Sequence, residues 1–246
     1  LDVETKLQRA NITYNELGQI SGYTDTTSQF GLSQISAWRS LNSAVTVNHR
    51  VEHNISFLTA RIETLEDELS QAQNQGLLAK VEELQGAIDE LTLQKEALQA
   101  LLPLLSSAQN KASAFYNLVK EGADKELIKD SQAQALEAID SLGYELDNII
   151  WNLEDRYNLQ KEKVEDINSE LSKVRSDIYA YEELYEKETD PEKANIIQLE
   201  LEAAKAQEAL IDARSKKEST VLRLIEKENI NSGRMGDDLK FSSSVF

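Results

Sequence analysis

The scarcity of helix breakers constrains this chain more than any other feature. From Ser33 to Ser232 only Gly76, Gly86, Pro103, Gly122, Gly143 and Pro191 could interrupt a helix. Sheet sandwiches and barrels need a turn roughly every ten residues, and doubly wound folds need Gly-rich crossovers. This stretch supplies neither. The apolar spacing points to long helices instead. Val51, Ile55, Leu58, Ile62, Leu65, Leu69 and Ala72 recur at alternating steps of four and three, the seam of a coiled coil. Leu77, Val81, Leu84, Ile88, Leu91, Lys95, Leu98, Leu102 and Leu105 repeat the pattern with one polar member. A third run extends from Leu146 through Tyr157, Ile167 and Ile178 to Tyr185.

These runs predict an all-α protein: an elongated antiparallel helical bundle or coiled coil of about four long helices, two αα-hairpins with loop-like termini. A connection as short as Asn74-Gln75-Gly76 forces the chain back antiparallel. Residues 1–31, rich in Ser, Thr and Gly, read as a short helix followed by a loop. Residues 32–121 read as the first hairpin, turning at 73–76. Within it, Pro103 lacks the amide hydrogen a helix interior uses and predicts a kink or break. Residues 122–230 read as the second hairpin, turning at 189–191, with Pro191 suited to the first turn of its helix. A helix from 124 to 188 would be roughly 95 Å long. Asn231, Ser232 and Gly233 open a C-terminal tail, 231–246, of loop composition.

Charge and composition exclude several functions. The 246 residues carry 44 acids against 26 Lys and Arg, a net charge of −18, and no Cys. Residues 121–200 hold 22 acids and 9 bases, whereas the first fifty balance to zero. Nucleic-acid backbones and anionic lipid both require a basic footprint, so no nucleic-acid partner is expected. Without Cys there is no disulfide framework, thiolate nucleophile or thiolate metal site. No apolar run reaches the length of a bilayer span, and Leu1-Asp2-Val3-Glu4 does not read as a secretory leader. The expectation is a soluble chain, extracellular or built into an assembled particle, with its compartment unreadable.

Chemical motifs are sparse. His49-Arg50-Val51-Glu52-His53 matches the spelling of an inverted zinc-protease motif. The heptad register puts Val51 on the seam and both His outside it, so exposed histidines are expected and no metal. Asn48 falls on the extrapolated seam, where a buried amide would fix register. Asn11-Ile12-Thr13 and Asn54-Ile55-Ser56 match the glycosylation sequon by chance. No Gly-rich phosphate loop and no nucleophile–base arrangement is present, so no enzyme, cofactor or catalytic residue is expected.

Three candidate interaction regions remain. Leu98, Leu101, Leu102, Leu104 and Leu105 form the most apolar stretch, either a widened core or a membrane-active patch. Tyr179, Tyr181 and Tyr185 cluster beside the Asp190-Pro191 corner, and Tyr is a favoured interface anchor. Phe241 and Phe246 mark the C-terminal tail. The reading is a rod-like, self-associating structural subunit of a filament, appendage, virion or scaffold. Its partners would be itself and other proteins, through helix seams and tails. The alternative is a helical membrane-attacking, pore-forming-toxin-like or secretion-associated protein using the segment around Pro103, the only reading in which a membrane is a partner.

Overall fold

The computed structural model describes the backbone of residues 7–14, 20–27 and 30–243, and side chains over residues 36–236. The elements run β1 (Leu7–Tyr14), β2 (Ile20–Thr27), α1 (Phe30–Asn74), α2 (Leu78–Glu121), α3 (Lys125–Lys187) and α4 (Pro191–Ser243). Four long helices make this an all-α bundle, preceded by one small hairpin.

That hairpin corrects the short helix expected in residues 1–31. β1 and β2 pair antiparallel, with Leu7 opposite Thr27, Ala10 opposite Thr24 and Tyr14 opposite Ile20. Ile12-Thr13-Tyr14 and Tyr23-Thr24, with Thr26 and Thr27, are β-branched and aromatic residues that favour extended backbone. Their Ser and Gly neighbours concealed that preference in the sequence reading.

The helix ends follow from local chemistry. Gly76 and Gly122 adopt φ of +67° and +66°, the left-handed conformation that costs most residues about 1 kcal/mol or more and Gly nothing. Each closes a helix with a six-to-one bond, Leu77 N donating to Ala72 O at 3.0 Å and Ala123 N to Leu118 O at 3.0 Å. α3 is capped by Asp124, whose Oδ1 accepts from Glu126 N at 2.9 Å. α4 is capped by Asp190, accepting from Glu192 N at 3.0 Å. Pro103 lies inside α2, which runs on through it, so the expected break is not made.

The tail expected as a loop from residue 231 is helical to Ser243. Ile225, Glu228, Ser232 and Met235 are buried at steps of three, four and three, so the seam continues with polar members. Asn231-Ser232-Gly233 looked like a terminator because two of those members are a carboxylate and a hydroxyl.

The described chain forms two compact units, and each takes segments from both helical hairpins. One comprises Leu1–Arg50, Leu101–Glu145 and Met235–Phe246; the other comprises Val51–Ala100 and Leu146–Arg234. In the first, Ala37, Phe115, Val119 and Ala135 form a core cluster with Tyr116 and Ile128 packed on it. Its seam on α1 is small (Ala37, Ser40, Ala44, Val47). Such residues let helix axes approach closely, and Phe115 supplies the bulk.

In the second unit the cross-helix bonds define an antiparallel order. Along α3 and α4, Gln160 meets Glu218, Asn168 meets Ser215, Arg175 meets Glu208 and Glu182 meets Lys205. The α3 number rises as the α4 number falls. α2 joins α3 through Glu90 and Arg156. α4 joins α1 where Lys227 Nζ sits 4.8 Å from the centre of the Phe57 ring. Ile167, Leu171, Val174 and Ile178 of α3 close on Ile211 of α4, with Leu201 and Ala204 beside them.

Candidate functional site

The heptad runs place most seam residues correctly and displace a few by one position. Leu84, Leu91, Leu98 and Leu105 are buried, seven residues apart, as expected. The alternate seam positions on α2 are Gln94 and Leu101, both buried, rather than Lys95 and Leu102, which are half-buried. An ammonium is far costlier to bury than an amide with partners, and Gln94 has them. Its Nε2 donates to Glu90 Oε1 at 2.7 Å and to the Leu224 carbonyl at 3.2 Å. On α1, Val47 takes the seam and Asn48 stands half-buried beside it. The register role expected of Asn48 passes to Gln94 and its neighbours.

Those neighbours form a polar layer in the second unit's core. Glu90 is ion-paired with Arg156, and Gln94 braces the same carboxylate. Glu228, buried on α4, accepts from Asn231 Nδ2 and Ser232 Oγ at 3.4 Å each. Burial pushes the Glu228 carboxyl above its usual 4.5, and the Glu90 charge adds to the rise. The two hydrogen bonds and the Lys227 charge oppose it without cancelling it. Two small clefts flank the layer: one of about 80 Å³ lined by Phe57, Arg61, Lys227 and Glu228 among others, one of about 70 Å³ lined by Leu98, Asn152, Arg156 and Glu228 among others. Each has room for a few waters, far less than the roughly 300 Å³ of a small-molecule site.

A third buried carboxylate, Glu218, behaves oppositely to Glu228. Burial would raise it, but Gln160 donates to it at 2.7 Å and Lys163 at 2.8 Å. These, with the charges of Lys163 and Lys217, hold it below the usual range. Both carboxylates occupy seam positions of α4. Sequence reasoning missed them because an apolar template skips a Glu; the signal was the seven-residue step Ile211, Glu218, Ile225.

The residues singled out from sequence fall into three settings. Leu98, Leu101 and Leu105 are buried, while Leu102 and Leu104 are half-buried, so this apolar stretch is chiefly core. Tyr179 and Tyr185 are exposed and Tyr181 half-buried, near the end of the α3–α4 hairpin. Phe241 lies in the last turns of α4 with its side chain outside the described residues, and Phe246 lies outside them altogether. His49, Glu52 and His53 are all exposed on α1. Among the described residues no three His, Asp or Glu converge as metal ligands, and no helix is long and apolar enough to cross a membrane.

The α3–α4 hairpin end is an open apolar region of the second unit. No residue from 179 to 210 is fully buried, because two helices alone leave their seam half open. Leu184, Ile196 and Leu199 are 53%, 56% and 59% exposed. No protein-family description, characterised protein or solved structure matches this chain.

Proposed function

We propose that the protein is a structural subunit that works by assembly: stiff helical hairpins set spacing, and exposed apolar side chains join copies of the chain. The observation that carries this reading is the apolar surface on the second unit's long helices, where Trp151 is 69% and Leu210 74% exposed. Single exposed apolar residues are ordinary. Large aromatics and leucines repeated along the outer faces of long helices are what an assembling surface supplies. The heptad seams and the polar layer at Glu90, Gln94 and Glu228 fit the same role, since paired polar groups in a seam favour one register over its neighbours.

Sedimentation velocity on a Trp151→Ser, Leu159→Ser, Leu210→Ser variant tests the reading. All three side chains are exposed, so folding should persist while the wild-type assembly dissociates. Identical sedimentation of variant and wild type would overturn it. The membrane-attacking alternative needs the Leu98–Leu105 stretch to leave the core. Dye release from vesicles by the wild-type protein, lost in a stably folded Leu102→Asp variant, would favour that alternative.

A further inference from the structure

We infer that the end of the α3–α4 hairpin is a docking surface for a cationic amphipathic helix from a different protein. Two independent properties coincide there. Leu184, Ile196 and Leu199 stand more than half exposed, and Tyr181 and Ile197 on the seam are only half covered. A helix turns about 100° per residue, which puts Ile196 and Leu199 on one flank of α4. Counted inward from the turn, Leu184 stands three residues before the end of α3 and Ile196 five residues after the start of α4, each one position before a seam residue, so the antiparallel pair carries both on one flank. A third helix laid against this face would complete the coverage that two helices cannot provide.

Charge selects the occupant. From Asp177 to Glu202 the chain carries nine acids and two bases, 2 − 9 = −7. One of the two bases, Lys187, is already paired with Glu183 at 3.3 Å, and Glu182 is held by Lys205 at 2.7 Å. Two copies of this surface would therefore repel one another. Nor does the chain, among the described residues, present a cationic complement. Its densest basic run, Arg214 to Lys217, is committed within the fold: Arg214 to Glu170 at 3.7 Å and Lys216 to Asp212 at 2.7 Å, with Lys217 packed over Gly86. The fitting partner has leucine-like residues at helical spacing flanked by Lys or Arg, so that apolar anchors meet Leu184 and Ile196 while the rim meets Glu183, Glu192 and Glu200.

The inference does not rest on self-association: a chain that stays monomeric and still binds would overturn the assembly reading and leave this one intact. The test is fluorescence anisotropy of a labelled synthetic helix of leucine and lysine, about 14 residues long, titrated with full-length protein. The wild type should bind it, and a Leu184→Ser, Ile196→Ser, Leu199→Ser variant should bind at least about tenfold more weakly. A Glu63→Gln, Glu66→Gln, Asp67→Asn variant on α1, matched in charge change to a Glu183→Gln, Glu192→Gln, Glu200→Gln variant of the surface, should bind within about twofold of wild type. Three results would each overturn the proposal: unchanged binding by the serine variant, equal binding of a leucine–glutamate helix, or no binding at low salt. Should the serine variant fail to melt like wild type, Glu183→Gln, Glu192→Gln, Glu200→Gln decides, a tenfold loss supporting the surface and none overturning it.

Discussion

At the scale of single residues, the α2 seam makes a sharp distinction between neighbours. Leu101 is 2% exposed whereas Leu102 is half-buried. Leu101→Asp leaves a carboxylate in the core without a partner and should cost on the order of 3 kcal/mol or more. Leu102→Asp can turn its carboxylate toward water and should cost clearly less. Equal melting temperatures would refute the register. The two buried glutamates of α4 should respond to pH with opposite signs. The folded protein holds a proton on Glu228 through a range in which the unfolded chain releases it. Its stability contribution therefore falls as pH rises from the ordinary Glu range through the folded value. Glu228→Gln should remove that loss and raise the melting temperature at neutral pH. Glu218 lies below its usual range, so its contribution is present above that range and is lost on acidification; Glu218→Gln should lower the neutral melting temperature. Parallel changes in the two variants, followed by thermal melts from pH 4 to 8, would contradict the assigned environments.

At the scale of elements, how much could be read depended on whether a seam position was apolar. In the α3 run Leu146, Leu153, Val164, Ile167, Leu171, Val174 and Ile178 are buried, while Ile150, Tyr157, Gln160 and Tyr181 are half-buried and Tyr185 is exposed. On α2 the choice between Leu101 and Leu102 was open by hydrophobicity alone. It was decided by Gln94, whose amide meets Glu90 one turn back on α2 and the Leu224 carbonyl on α4, the latter a cross-helix contact that no local pattern displays. α4 was under-read at its C-terminal end for the same reason, since Glu228 and Ser232 hold seam positions there. The polar layer, the centre of the candidate site, was therefore invisible in the sequence, while the tyrosine cluster was found but not its exposed neighbours Ile196 and Leu199. Gly233 provides a direct check on the extended helix. It lies within α4, and a Cβ there meets nothing within 4 Å. Gly233→Ala should thus stabilise the protein by about 0.5–1 kcal/mol. At Gly76, with φ of +67°, the same change should destabilise by a comparable amount despite equally open space. A neutral Gly233→Ala would argue for a loop at 231–236.

At the scale of the whole molecule, buried seam residues lie beside apolar side chains that remain exposed. Two helices suffice to bury Ile167, Leu171, Val174, Ile178 and Ile211, but they leave Trp151, Leu159 and Leu210 in water. A net charge of −18 opposes indiscriminate aggregation, so association through these residues would be selective and, for exposed charges, eased by salt. The most direct measurement of the central claim is multi-angle light scattering of the full-length chain across a dilution series. The account predicts a mass that is a multiple of 27.7 kDa and falls on dilution as subunits separate. A constant mass of 27.7 kDa up to roughly 100 μM, in low and high salt alike, would contradict it.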